Sequence, residues 1–288
     1  MKKEELLVNK INLLLARVNA PRHLNKYGPK KYTLAEKLHA LFLRAEWRAS
    51  FRRTKRDCNF LGIKCPSKSA LQNTLVKLPR MLLSLLLKLT AGIEKVVLAA
   101  MDATGLQQSM PSWHYVNKAG IDIKQRKPAK LSIMVATGRK KILAANYRKQ
   151  NVHDIRDARK LLLNSAIKPA TLVADKAYDA EWLHEYCHEI GIKPIIPVRK
   201  GIAHGFYRKR MRFNARIYHR RSMVESAFSK LKRMFGSSMR CISVKAQRSE
   251  IYCSMILYNL LAVVLRFRTQ PIRTKALNSR KLVFSLAF

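Results

Sequence analysis

The chain is predicted to be an α/β protein, with a mixed sheet flanked by helices and an all-helical region before it. Three observations point there. Residues 1–90 carry helix starts, helix stops and apolar faces but no run with strand alternation. From residue 95, short apolar runs alternate with helical patterns, the order expected of strands and the helices between them. Two of those runs, 96–101 and 171–174, are each followed by an aspartate, Asp102 and Asp175.

In the helical region, Thr33 with Glu36 fits a capping box that starts a helix at Leu34. A second helix over 51–61 is stopped by Gly62. Pro66 breaks the chain, and Ser69 with Gln72 fits another capping box, opening a short helix over 70–78. Residues 81–89 read as an apolar core helix. Arg52, Arg53, Lys55, Arg56 and Lys68 surround the helix pair. That arrangement is compatible with a DNA-binding helix-turn-helix and equally with a plain bundle that has a basic face.

In the second region, 96–101 reads as a buried strand. Residues 131–137 and 142–147 flank the turn Gly138-Arg139-Lys140-Lys141 as a hairpin. Asp154 is a natural N-cap for a helix over 155–164, and Asp179 for one over 180–190. Strands are predicted over 171–174 and 193–198. The apolar run 251–265 has 15 residues and contains Asn259, too short for an ordinary membrane span, so it reads as a buried helix. Residues 266–288 form a basic tail. The predicted division is 1–90, a helical DNA-binding or dimerisation region; 91–265, the α/β domain; and the tail.

Lys and Arg number 58 against 17 Asp and Glu, a formal net charge of +41. Charge of that size opposes compaction unless a polyanion neutralises it, so nucleic acid is the leading partner. The charge is spread along the whole chain, which suits a DNA-tracking surface better than a membrane-anchoring segment. The five cysteines show neither a CxxC pair nor Cys/His spacing for zinc, and read as buried free thiols in a reducing cytosol. Met1-Lys2-Lys3-Glu4-Glu5 lacks the apolar core of a signal peptide, so the predicted location is the cytoplasm.

Glu225 stands out chemically. It is the only acid between Glu189 and Glu250, and residues 199–249 around it hold fifteen Lys and Arg. A lone carboxylate in such a field is a structural ion pair or a group that holds a cation. On one helix at about 100° per residue, Tyr218, Arg221 and Lys232 project within about 40° of Glu225. Val224, Phe228, Leu231 and Phe235 make an apolar stripe beside them, which places Glu225 at the rim of a buried face.

Functional groups of an α/β sheet gather beyond the carboxyl ends of its strands. If the strands before Asp102 and Asp175 are parallel neighbours, those carboxylates lie side by side, and Glu225 completes a cluster of three. Three such groups stay ionised together only if cations neutralise them. Hard oxygen ligands select Mg2+ or Mn2+, and two ions about 4 Å apart would serve phosphodiester cleavage. Each aspartate taken singly also reads as a turn or helix cap. Arg221 and Lys232 also read as solvated helix charges, with a weak Arg221–Glu225 pair.

The stretch from Tyr218 to Lys232 fits Y-x2-R-x3-E-x6-K without a gap. In this it resembles the insertion-sequence DDE transposases of bacteria and archaea. Asp102-Ala103-Thr104-Gly105 looks like the family's first Asp motif, and Asp175-Lys176-Ala177-Tyr178-Asp179 like its second, which usually has Gly in place of Ala177. Asn151-Val152-His153-Asp154 resembles the segment between them. The likeness covers roughly 95–260. It implies an RNase H-like fold and a metal-binding catalytic triad of Asp102, Asp175 and Glu225 that takes two Mg2+, with Mn2+ as a substitute. It implies that Arg221 and Lys232 hold phosphates of the transposon end and that Tyr218 packs near the bound strand. The implied partners are double-stranded DNA, as terminal inverted repeats and as target, and further copies of the chain in a dimer or larger synaptic complex at the nucleoid. Asp175 and Glu225 are 50 residues apart, which leaves little room for the β-rich insertion of hairpin-forming relatives. An inactive DNA-binding relative and a nuclease without strand transfer are the competing readings.

Overall fold

A computed structural model describes residues 3–25, 27, 30–92, 94–108, 128–150, 152–199 and 205–269. Five helices come first: α1 (Lys3–Arg17), α2 (Leu34–Glu46), α3 (Phe51–Phe60), α4 (Lys68–Lys77) and α5 (Arg80–Ala91). The predicted capping box at Thr33 and Glu36 is formed in full, with Glu36 N donating to Thr33 Oγ1 at 3.3 Å. Helix α3 ends as expected before Gly62, whose φ of +68° suits a residue without Cβ. Helix α4 starts earlier than predicted. Ser67, not Ser69, takes the extended cap conformation and accepts the Ala70 amide at 3.2 Å, so Ser69 and Gln72 lie inside the helix.

Five strands follow: β1 (Leu98–Leu106), β2 (Ala129–Ala136), β3 (Lys141–Arg148), β4 (Thr171–Ala174) and β5 (Lys193–Ile195), in the spatial order β3-β2-β1-β4-β5. β1 runs antiparallel to β2, and β2 to β3, while β4 lies parallel to both β1 and β5. β1 extends past the predicted end at residue 101. Its antiparallel partner β2 holds it as far as Leu106↔Ala129, whereas β4 pairs only to Met101↔Ala174. β5 is shorter than predicted, pairing with β4 only as far as Ile195. The later helices are α6 (Ile155–Asn164), α7 (Glu181–Glu189), α8 (Phe206–Arg210), α9 (Ala215–Tyr218), α10 (Ser222–Phe235) and α11 (Val244–Thr269). No helix among the described residues is long and apolar enough to cross a membrane. The five cysteines are buried and unpaired.

Strand alternation sorts the core into two layers. Ala100, Ile133, Val173 and Ile195 face one cluster, which also contains Leu38 and Leu83 of the N-terminal helices, Leu231 of α10 and Ile256 of α11. Ala99, Met101, Leu172 and Ala174 face the other, with Leu161 of α6 and Leu183 of α7. The first cluster therefore runs straight across residue 90. Polar links reinforce it: Arg44 of α2 pairs with Glu250 of α11 at 3.0 Å, and Arg48 donates to the Lys232 and Met234 carbonyls at the end of α10, both at 3.2 Å.

Strand β3 is the sheet edge, and an edge strand leaves backbone groups without a ladder partner. Asn259 of α11 supplies one. Its Oδ1 accepts the Ile142 amide at 2.9 Å, and its Nδ2 donates to the Ile142 carbonyl at 2.8 Å and to Thr90 Oγ1 at 3.3 Å. Asn259→Leu keeps the bulk but orphans a buried N–H and C=O, at about 1–3 kcal/mol each. The expected loss, measured by urea denaturation, is about 2–6 kcal/mol.

Candidate active site

The site lies where the parallel ladder stops. Met101↔Ala174 is the last pair of β1 and β4, so Asp102 and Asp175 are the next residues on adjacent strands. Alternation turns both away from the layer of Met101 and Ala174 and toward the side on which α10 packs. Each carboxylate accepts the following amide: Asp102 Oδ1 from Ala103 N at 2.8 Å, Asp175 Oδ1 from Lys176 N at 2.7 Å. Asp175 thus also caps the 3-10 turn Lys176–Tyr178. Ala177 lies in that turn and is not among the residues with positive φ, so no glycine is required there.

The predicted single helix from Tyr218 to Lys232 is interrupted. Helix α9 ends at Tyr218, a 3-10 turn covers His219–Arg221, and α10 begins at Ser222. Val224, Ala227, Phe228 and Leu231 bury the inner face of α10, and Glu225 lies in its first turn, exposed at the rim. Arg221 turns inward. Its Nη2 lies 2.7 Å from Glu225 Oε1 and its Nη1 3.4 Å from Asp102 Oδ2. Asp175 adds its charge to the same guanidinium. Burial works against the Arg221 charge, but Glu225, Asp102 and Asp175 outweigh it and its pKa rises. Arg221 therefore links Asp102 to Glu225, and Asp175 lies near enough to act on its charge. Lys232, two turns further along α10, donates to Thr104 Oγ1 at 2.7 Å. Tyr218 is half-buried and its ring lies 5.3 Å from that of Phe213.

Asp102 sits in an electrostatically unfavourable setting for a carboxylate. Burial pushes its pKa above the usual carboxylate range, Asp154 and Asp175 push it further, and the Ala103 amide and Arg221 pull back. Asp154 is thus a neighbour of the site that the sequence did not suggest. Its side chain makes no cap bond to α6 but pairs with buried Lys130 of β2, which corrects the predicted capping role. Lys130, next to the predicted strand 131–137, was the available signal. Trp113, His114 and Tyr115, which read in the sequence as an aromatic patch for core packing or base stacking, and Asp122, which reads as a loop charge, lie outside the described residues.

Asp179 also differs from its predicted role. Helix α7 begins after Ala180 with no side-chain cap, and Asp179 is buried instead. It accepts from Arg208 Nε at 2.9 Å and from the Arg199 amide at 2.8 Å, with His184 Nε2 at 3.5 Å. Burial lowers the His184 pKa, so that ring stays neutral. The Arg199 side chain returns to the 3-10 turn, donating to the Lys176 carbonyl at 3.0 Å and the Ala177 carbonyl at 3.3 Å. Just beyond, the Tyr207 amide donates to Glu181 at 2.7 Å. At Gly205 a Cβ would stand 2.2 Å from the Glu181 carboxyl carbon. The basic stretch after β5 is therefore stapled to the turn that carries Asp175.

Among the described residues, no three His, Cys, Asp or Glu side chains stand as a ready-made metal ligand group. The Arg221 guanidinium stands between Asp102 and Glu225, with Asp175 at the neighbouring strand end. Hard anionic oxygens already gathered on a cation fit Mg2+ or Mn2+ by donor chemistry. Between Asp175 and Glu225 the described residues contain a 3-10 turn, α7, β5, α8, α9 and a second 3-10 turn, with no additional sheet.

A mixed sheet of this order, with acids at the end of its central parallel pair and a basic helical segment packed beside them, has the arrangement of an RNase H-like fold. Residues 96–260, more than half of the chain, match the family described as the transposase DDE domain, and the chain belongs to that family. Membership carries transposase function, DNA binding and the use of divalent metals in general terms.

Asp179→Ala would leave Arg208 buried without its carboxylate. Removing one partner of a buried pair costs about 3–5 kcal/mol. Chemical denaturation is expected to show a loss of that size, with the surface variant Arg212→Ala as the near-neutral control.

Proposed function

We propose that this chain cuts DNA at terminal inverted repeats and joins the freed 3′-OH to target DNA, with Asp102, Asp175 and Glu225 as its catalytic acids. The observation that carries this reading is the placement of Asp102 and Asp175 side by side at the end of the β1–β4 ladder, with Arg221 linking Asp102 to Glu225. Side-chain oxygens of the three would hold two Mg2+, with Mn2+ as a substitute. Bound there, the ions would supply Lewis acidity to the attacking and leaving oxygens of a phosphodiester.

The protein's own groups do the rest. The Ala103 and Lys176 amides fix one oxygen of each aspartate, and the second oxygen of Asp102 lies toward Arg221. Arg199 holds the turn beneath Asp175. Lys232 and Arg221 stand on either side of Glu225 along the chain, placed to bind phosphates of the DNA end. The half-buried Tyr218 packs beside the bound strand. Arg212, Arg216 and Arg220 are exposed along the same segment and would track the backbone, so affinity falls steeply as salt rises. Helices α2, α3 and α4, with the exposed Arg52, Arg53 and Arg56, would form the DNA-binding or dimerising region, in a homodimer or larger synaptic complex.

The test is cleavage and joining of DNA that carries the gene's own flanking sequence, with Mg2+, Mn2+ or EDTA. Metal-dependent cuts at the repeat ends plus joined products are expected from wild type, and none from Glu225→Gln, which should bind DNA normally. Tight binding without cutting under any metal would sink the enzymatic reading in favour of a binding-only relative. Cutting without joined products would leave a nuclease. Lys232→Ala should weaken binding of the cut end by about 1.5–3 kcal/mol, the value of a charged hydrogen bond, with an unchanged melting temperature. A large drop in melting temperature would instead make Lys232 a structural residue that serves Thr104.

A further inference from the structure

Arg221 is called on by two kinds of anion that it cannot serve together. Its two terminal nitrogens lie on Asp102 Oδ2 and Glu225 Oε1, oxygens that a divalent cation would need. The side chain is about three-quarters buried, while the next residue along the chain, Arg220, is exposed. Arg221 also sits in the short 3-10 turn between α9 and α10, outside the regular helix that carries Glu225. Its guanidinium is thus positioned by the acids rather than by helical packing.

We infer that Arg221 is the resident counter-ion of the three acids, and that divalent cations and a DNA phosphate bind to this site together rather than one after the other. The inference rests on the reading of Asp102, Asp175 and Glu225 as metal ligands. Without cations, the guanidinium neutralises carboxylates that would otherwise repel each other. When cations take those oxygens, Arg221 loses its partners and its charge faces out, beside Arg220. A phosphate arriving there stabilises the released arginine. A phosphate arriving before the cations would meet an arginine already paired and three carboxylates of its own sign. Each ligand therefore favours the other, and by linkage the factor is the same in both directions. The consequence is a site that takes up its ions more readily on DNA than in free protein.

Isothermal titration of Mn2+ into the full chain reads this without any turnover. Four titrations are needed: wild type and Arg221→Gln, each alone and each saturated with a non-cleavable duplex ending in the gene's flanking repeat, with the heat of Mn2+ binding to duplex alone subtracted. Arg221→Gln without DNA is expected to bind Mn2+ at least about tenfold more tightly than wild type, since the competing cation is gone. DNA should tighten Mn2+ binding to wild type by about tenfold and to Arg221→Gln by less than threefold. Arg221→Lys, which keeps the charge but cannot bridge two carboxylates, should fall between, and guards against a glutamine variant that fails to fold. Equal or weaker Mn2+ binding by both variants in the absence of DNA would overturn the inference, as would equal tightening by DNA in all three proteins. No Mn2+ binding by any protein, with or without DNA, would instead bring down the metal-site reading on which it stands.

Discussion

A carboxylate taken out of water has to be paired, and in this chain three such acids tie the architecture together. Asp157 of α6 is fully buried and accepts from Ser132 of β2 at 2.7 Å, Asn146 of β3 at 2.7 Å and Arg148 of β3 at 2.6 Å. Arg80 of α5 reaches the same Asn146 at 3.1 Å. Glu250 of α11 takes Arg44 of α2 together with the amides of Arg240 and Cys241. Asp179 takes the stretch after β5. Each acid joins segments far apart in sequence, and each is surrounded by donors on every side. In a protein with 58 Lys and Arg against 17 acids, cations are plentiful and acids fix where they go.

The three acids of the candidate site follow the opposite rule. Asp102 and Glu225 share one arginine, one oxygen each of Asp102 and Asp175 is taken by the following amide, and Glu225 is more than half exposed. Burial pushes Asp102 toward its neutral form, against the direction a structural ion pair would give. This contrast between saturated and undersupplied carboxylates separates fold from function here. It is visible in the contacts alone, before any family is considered.

Much of this was legible in the sequence where one local rule decided the outcome. Thr33 with Glu36, the hairpin around Gly138, the helix Ile155–Asn164 and the strand Thr171–Ala174 all follow from capping chemistry or apolar period. The adjacency of Asp102 and Asp175 followed from two apolar strands ending alike. What the sequence misassigned was decided by tertiary partners. Asp154 and Asp179 both precede helices, so capping was the local answer, yet Lys130 and Arg208 outbid the helix amides as charged donors. The break at His219–Arg221 was hidden because helical periodicity continues through it. Thr104 as the partner of Lys232 was within reach, since it lies two residues from Asp102 on the same strand face.

The contact of Arg48 with the end of α10 sets a limit on swapping parts between relatives. Its guanidinium lies on the last carbonyls of the helix that carries Glu225, while Arg44, one turn earlier, neutralises Glu250. A chimera that grafts foreign N-terminal helices onto this sheet would leave the negative end of that helix bare and a buried glutamate without its counter-charge. The front of the chain is thus heritable only along with its back. Substitutions meant to alter the surface of the first helices belong on their outer face, with the inner arginines left in place.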